Sequence, residues 1–273
     1  MGQDASGVKI AADFIKQSEA IFIGAGAGMG VDSGLPDFRG PEGFWKAYPM
    51  FRQKGFRFED MANPRWFATD PRQAWGFYGH RLNLYRETTP HLGFGILLKW
   101  ASHFLDRAFV FTSNVDGQFQ KAGFSDDRIL ECHGSIHHLQ CSEGCPGIWQ
   151  ASEIELEVDP LTMRALGQMP VCLSCGALAR PNILMFGDAD WQPDRACKQE
   201  SNFNNWYVEH GGLRSVVIEC GAGKAIPTVR WKCEQFDGRL IRINPRDCEV
   251  SEGQIGLPMS AEEALQQINA EIN

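Results

Sequence analysis

Apolar residues follow two periods along this chain. Val8, Ala11, Ala12, Phe14 and Ile15 recur at helical spacing and predict a helix over residues 5–17. Ala20-Ile21-Phe22-Ile23 is then an unbroken apolar run bounded by glycine, the pattern of a buried strand. The two periods keep alternating. A helix is predicted from His91 to Leu105, a strand from Ala108 to Thr112, and a short strand from Ile129 running into a turn at Gly134. Further strands are predicted after Arg180-Pro181, from Ser215 to Glu219 and from Arg239 to Ile243. Asn63-Pro64 and Asp70-Pro71 are helix starts within 41–84, and Ser260-x-x-Glu263 is a capping box opening a last helix through Ile272. Residues 189–212 are polar and aromatic and read as a surface loop and helix. Strands alternating with helices predict an α/β fold built on a Rossmann-like parallel sheet.

The ends of these strands carry glycine. Gly24, Gly26, Gly28 and Gly30 alternate in a stretch read as a loop, not an immediate helix. Such a loop brings bare N–H groups against a pyrophosphate, or simply makes a tight turn, and the glycines alone leave both readings open. The spacing departs from G-x-G-x-x-G, and no Lys-Ser/Thr follows, which disfavours a nucleoside triphosphatase. Composition adds bounds. The 273 residues, 43% hydrophobic, suffice for one large domain or a domain with an insertion. No apolar run approaches the ~20 residues of a membrane helix, and no basic-then-apolar leader opens the chain. The opening Met-Gly-x-x-x-Ser is read as a chance match to an acylation signal. A soluble cytoplasmic protein with no membrane partner is therefore expected. Net charge is −8 without a basic stripe, so no direct nucleic-acid partner is expected. Oligomeric state is left open.

Three groups of residues carry candidate chemistry. Asn114 and Asp116 follow a strand and fall on one side if the chain stays extended, although an Asx-turn with a helix cap explains them as well. His133 lies at a strand end, with His137 and His138 close enough in sequence that a metal role is also weighed. Of nine cysteines, Cys141-x3-Cys145 and Cys172-x2-Cys175 form two tight pairs. Two such pairs suit a closed tetrahedral zinc site better than free core thiols, because glycine and proline flank them. The acidic stretch from Trp149 to Pro170 between them is read as an exposed helix or loop.

Read together, these motifs resemble the sirtuin family. The first is GAGMGVDSGLPDFRG over Gly26 to Gly40, with Met29, Gly30 and Leu35 in place of Ile, Ser and Ile. TSNVDGQFQKAG at Thr112 to Gly123 has Ser113 for Gln and Gln118-Phe119 for Leu-His. His-Gly-Ser begins at His133. RPNILMFGD runs from Arg180 to Asp188, with Asp for Glu. Gly221-Ala222-Gly223 replaces Gly-Thr-Ser, and Ile243-Asn244 keeps the family's Ile-Asn.

The resemblance implies an NAD-dependent protein-lysine deacylase. NAD would be held by Gly26, Ala27, Gly28, Pro36, Asp37, Phe38, Arg39, Ser113, Asn114, Asp116, Gly221, Ala222, Gly223 and Asn244. Asn114 and Asp116 would act at the nicotinamide carboxamide. The acyl oxygen of an acylated protein lysine would displace nicotinamide, and His133 would then take a ribose hydroxyl proton, a task suited to an imidazole near neutrality. Products would be free lysine, nicotinamide and O-acyl-ADP-ribose. Structural zinc would sit on Cys141, Cys145, Cys172 and Cys175. The implied layout is a single catalytic domain over 1–273, with a Rossmann-like part at 1–40, 85–138 and 178–273, a helical insertion at 41–84 and a zinc module at 139–177.

Tyr78-x-x-Arg81 is similar to the element with which sirtuins that remove succinyl and malonyl groups hold the distal carboxylate, and Ala62 matches their small pocket residue. On a helix i and i+3 share a face, so the pair converges on one ligand; equally, an amphipathic helix buries Tyr78 and leaves Arg81 in solvent. Two other activities remain open. The NVDGQFQKAGF wording also resembles macrodomain-linked sirtuins, which transfer ADP-ribose to protein, and NAD hydrolysis would follow from a changed cofactor pose. A non-enzymatic NAD-sensing module is the third reading.

Overall fold

A computed structural model describes residues 2–37 and 41–273. α1 (Gly2–Lys16) leads into β1 (Ala20–Ala25), and the glycine stretch, read as a loop and not an immediate helix, instead coils at once into a 3₁₀ helix over Ala27–Ser33, capped by extended Gly26 and left-handed Gly34. Helices α2 (Pro41–Ala47), α3 (Pro49–Gln53), α4 (Phe58–Met61), α5 (Arg65–Thr69) and α6 (Pro71–Glu87) precede α7 (Leu92–Phe104) and β2 (Ala108–Thr112). α8 (Gln118–Lys121) and β3 (Ile129–Glu131) follow, then β4 (Gly134–Cys141), β5 (Trp149–Gln150), β6 (Val158–Asp159), β7 (Arg164–Ala165) and β8 (Ala179–Ile183). The chain ends with α9 (Asp194–His210), β9 (Ser215–Cys220), α10 (Thr228–Gln235), β10 (Arg239–Ile243), β11 (Ile255–Leu257) and α11 (Ala261–Ile272).

The strands predicted at Ala20, Ala108, Ile129, Ser215 and Arg239 belong to one sheet, ordered β11-β10-β9-β1-β2-β3 and parallel throughout, whereas the strand predicted at Arg180-Pro181 is β8 of a separate antiparallel sheet. β1, β2 and β9 are buried at every position, as strands covered on both faces must be. Alternate residues serve opposite faces. Ile21 and Ile23 join Val8, Phe94, Leu97 and Leu265 beneath α1, α7 and α11. Phe22 points the other way, among Phe203, Trp206 and Val229 of α9 and α10, and stacks on Phe236 at 4.5 Å. The helix signals hold too. Asp70 Oδ1 accepts from Gln73 N at the start of α6, and Ser260 Oγ accepts from Glu263 N at the start of α11.

A second unit joins α2–α6 to an antiparallel sheet ordered β5-β4-β8 and a β6–β7 hairpin. Its core is aromatic: Phe44, Tyr48, Phe51 and Phe77 lie within 6.3 Å, centroid to centroid, of their ring neighbours. The stretch 149–170, expected as an exposed helix or loop, instead contributes β5, β6 and β7. β5 pairs with β4 and β6 with β7, and side chains of α6 and its N-cap Asp70 anchor the segment around them, which explains the difference. Arg86 donates to the carbonyls of Ile154 and Ala151, and Arg164 pairs with Asp70. A Cβ on Gly76 of α6 would fall 2.0 Å from Met163 O, so helix and hairpin meet backbone to backbone. Among the described residues no helix is long and apolar enough to cross a membrane.

Candidate active site

β1 and β9 are neighbours, yet the chain leaves β1 toward β2 and β3 and leaves β9 toward β10 and β11. A crevice opens outside strand ends where directions diverge in this way. Two glycine loops fill its floor. Gly26 N donates to Cys220 O and Gly28 N to Gly221 O, both at 2.9 Å. A Cβ on Gly26 would stand 2.7 Å from Gly221 O, and one on Gly221 (φ +63°) would stand 2.3 Å from Met29 N. Close approach of one loop to the other is therefore what Gly26 and Gly221 permit. Gly223 differs, since a Cβ there would meet nothing within 4 Å.

Ala27, Gly28, Asp37, Gly221, Gly223 and Asn244 line a cavity of about 440 Å³ at this crevice. Gly26 and Ala222 are not among its lining residues; they supply the carbonyls that hold it. Asn114 Nδ2 donates to Gly26 O at 2.9 Å, and Asn244 Nδ2 donates to Ala222 O at 3.0 Å. Asn244 Oδ1 accepts from Arg246 N and Asp247 N, so its amide is engaged at both ends. Asp37 Oδ2 accepts from Arg246 Nη2 at 3.1 Å. Phe38 and Arg39 lie outside the described residues.

A second cavity of about 250 Å³ shares Ala27 and Ile226 with the first. Pro36, Ser113, Asn114, Asp116 and His133 line it. Asp116 Oδ1 accepts from Gln118 N at 3.0 Å, so the Asx-turn and the cavity wall are the same residue in two roles. Burial pushes the Asp116 carboxyl up to about 6. His133 is half-buried, and its carbonyl accepts from Leu184 N at 2.9 Å, tying the end of β3 to the exit of β8. His137 and His138 do not share this cavity. His137 Nε2 bonds Asp116 O at 2.9 Å, and among the described residues the three histidines form no metal-ligand group.

Ala62, Tyr78 and Arg81 line the same cavity. All three are buried, which corrects the solvated reading of Arg81. The guanidinium lies 5.3 to 5.6 Å from the ring centroids of Phe58, Phe77, Tyr78 and Tyr85, where ring quadrupoles favour a cation. Its Nε and Nη2 donate to Tyr85 Oη at 3.1 and 2.9 Å. Tyr78 Oη is buried with no hydrogen-bond partner, and burial pushes its pKa up, so it stays a hydroxyl donor. Tyr85 was not singled out from the sequence. Its signal was its place four residues after Arg81 on the same helix.

The four cysteines converge at the end of β4. Their sulfurs lie within 4.8 Å of one another, with Cys141 Sγ 3.7 Å from Cys175 Sγ. A tetrahedron with Zn–S bonds of about 2.3 Å has edges of about 3.8 Å, so the set fits one structural zinc. Backbone amides of Cys175 and Ser174 pull the Cys172 thiol down to about 7, whereas the neighbouring thiols of Cys175 and Cys141 push Cys145 up, so the fit to a metal rests on the geometry of the four sulfurs.

The Sir2 family model matches residues 26–206, more than half of the chain. An NAD-dependent protein deacylase of Leptospira interrogans is 33% identical over 229 residues, covering 83% of this chain and 82% of its own. An NAD-dependent protein deacetylase of Caldivirga maquilingensis is 27% identical over 281 residues, covering 99% and 96%. Matches to the Saccharolobus solfataricus and Pyrobaculum aerophilum relatives span 65% and 62% of those proteins. In structure, a Sir2 homologue in complex with NAD superposes with a TM-score of 0.67 at 23% identity, covering 96% of this chain and 94% of that one. Sir2 bound to an acetylated peptide gives 0.67 at 18% identity, covering 96% and 97%. These superpositions show a Sir2-like α/β fold.

Proposed function

The chain belongs to the Sir2 family, and from that premise we propose that it removes acyl groups from protein lysine by consuming NAD, favouring acyl groups that end in a carboxylate, such as succinyl or malonyl. One observation carries this reading: a single cavity is walled both by Ser113, Asn114, Asp116 and His133 and by Ala62, Tyr78 and Arg81. NAD would supply the glycosidic bond that is broken. Ala27, Gly28, Asp37, Gly221, Gly223 and Asn244 line the adjoining cavity in which it would lie, with Gly26 and Ala222 positioning that wall. Pro36, Phe38 and Arg39 belong to the same assignment. Ser113 would stand beside the cofactor, Asn114 and Asp116 would engage the carboxamide, and His133 would accept a hydroxyl proton. Zinc on the four cysteines has no open position for water and would serve structure alone.

Specificity rests on the far wall. A guanidinium meets a carboxylate through paired charge-assisted bonds, stronger than neutral ones. Tyr78 adds a buried donor with no hydrogen-bond partner of its own. Ala62, small and 5% exposed, leaves room for a longer acyl chain.

The test compares turnover of acetyl-, malonyl-, succinyl- and glutaryl-lysine peptides by wild type, Arg81→Met and His133→Ala, with labelled NAD. The expected pattern is that acidic acyl groups lead in the wild type, lose most of their rate in Arg81→Met while acetyl changes little, and that His133→Ala abolishes turnover. An acetyl lead, or succinyl turnover intact in Arg81→Met, defeats the specificity assignment. Label on protein would indicate ADP-ribosyl transfer, and free ADP-ribose without peptide would indicate hydrolysis. Only O-acyl-ADP-ribose supports deacylation.

A further inference from the structure

We propose that Asp106, Glu209 and His210 form a second divalent-metal site, of the zinc class, where the turn entering β2 meets the last turn of α9. One ligand atom from each lies within 4.8 Å of the other two. His210 is only 6% exposed, yet its Nε2 has no hydrogen-bond partner, with Glu209 Oε2 at 3.7 Å. Buried polar nitrogens are nearly always satisfied, so this one calls for an explanation.

The surroundings hold the ligands in place. Trp206, one turn before His210 on α9, donates its indole N–H to Asp106 O at 2.9 Å, and its ring lies 5.9 Å from the His210 ring. One residue thus fixes both the Asp106 turn and the imidazole. The site also lies at the carboxyl end of α9, where the helix dipole favours a cation. One imidazole nitrogen and two carboxylate oxygens suit zinc, whereas calcium and magnesium favour all-oxygen shells. Asp106 and Glu209 are exposed, so water can complete the shell. The four-cysteine cluster is chemically distinct, being all sulfur. The reacting cavity opens beyond Thr112, at the other end of β2 from Asp106, so this metal would pin α9 to the sheet without entering the chemistry.

The experiment uses the full chain already carrying one zinc, titrated with zinc by calorimetry and followed by ¹H–¹⁵N imidazole spectra. The expected result is one further saturable zinc per chain, a shift of the His210 Nε2 resonance and a higher melting temperature. Glu209→Gln and Asp106→Asn change exposed side chains and should each weaken this binding at least tenfold while the first zinc stays. No second zinc up to millimolar metal would overturn the proposal, leaving His210 and Glu209 as an ion pair. Binding that survives both substitutions would overturn it as well.

Discussion

Asp116 and Tyr78 each carry a polar group into a buried place, and each gives a prediction that separates fold from function. Asp116 titrates near 6 in the folded protein because burial disfavours its charge, against 3.8 for an ordinary aspartate. Below pH ~4 both folded and unfolded states are protonated and nothing is lost. As pH rises from ~4 to ~6 the unfolded chain releases the proton first, so stability falls, and the full cost stands above pH ~6. About two pKa units correspond to about 3 kcal/mol. Asp116→Asn should therefore be more stable than wild type at pH 7 by up to about 3 kcal/mol, with the gap closing toward pH 4 in denaturant melts. An unchanged stability at pH 7 would mean that the carboxylate is not penalised by burial. The Tyr78 hydroxyl is buried without a hydrogen-bond partner. Tyr78→Phe should be neutral or stabilising by about 1 kcal/mol, since it removes an unsatisfied donor. The same change should cut succinyl-peptide turnover about tenfold or more, the scale of one lost hydrogen bond to a charged group. Loss of stability together with activity would give Tyr78 a structural role instead.

Between elements, the glycine loops after β1 and β9 separate what was legible in the sequence from what was not. The strands themselves were legible: Ala20–Ala25, Ala108–Thr112 and Ser215–Cys220 are buried at every position because each is covered on both faces, and all but Thr112, Ser215 and Glu219 of their residues are apolar or glycine. So were the caps at Asp70 and Ser260, whose side chains bond the backbone three residues on. The purpose of each glycine was not. Gly26 and Gly221 face one another across 195 residues of sequence, and no local pattern encodes that approach. β5, β6 and β7 are two residues each, too short to display a period, and form only because β5 pairs with β4 and β6 with β7, with Arg72 of α6 donating to Ala165 O. Residues 133 and 78–81 were legible only through motif wording, since a lone histidine and a Tyr-x-x-Arg also fit ordinary packing. The glycines make a paired prediction. Gly221→Ala forces an L side chain to φ +63° with its Cβ against Met29 N. It should cost about 1–3 kcal/mol of stability and spread the two loops. Gly223→Ala has open space around its Cβ and should leave melting unchanged. If NAD lies in this crevice, calorimetry should find its affinity reduced strongly by Gly221→Ala and mildly by Gly223→Ala. Equal melting temperatures for the two variants would refute the loop-to-loop account.

For the molecule as a whole, the question is how far loss of zinc would travel. The sheet is packed by two apolar clusters, one under α1, α7 and α11 and one under α9 and α10, and neither draws on residues between Cys141 and Cys175. The second unit is different. Its core joins Phe77 and Tyr78 of α6 to Leu139, Ala151, Leu156 and Ala179. Trp75 Nε1 donates to Ala179 O at 2.9 Å, and Asn83 Nδ2 donates to Leu156 O at 2.8 Å. Metal-linked folding free energy is released when a chelator strips a structural site. That loss would therefore loosen β4–β8 and, through these bonds, the helix bearing Tyr78 and Arg81. The crevice between β1 and β9 would be left standing. Zinc removal should abolish acyl-peptide turnover and split thermal unfolding into two transitions, while NAD affinity falls by less than about tenfold, under the ~1.4 kcal/mol that a tenfold change represents. Cys172→Ser should reproduce this split without a chelator. Parallel loss of NAD binding and peptide binding would show instead that the two units fold as one.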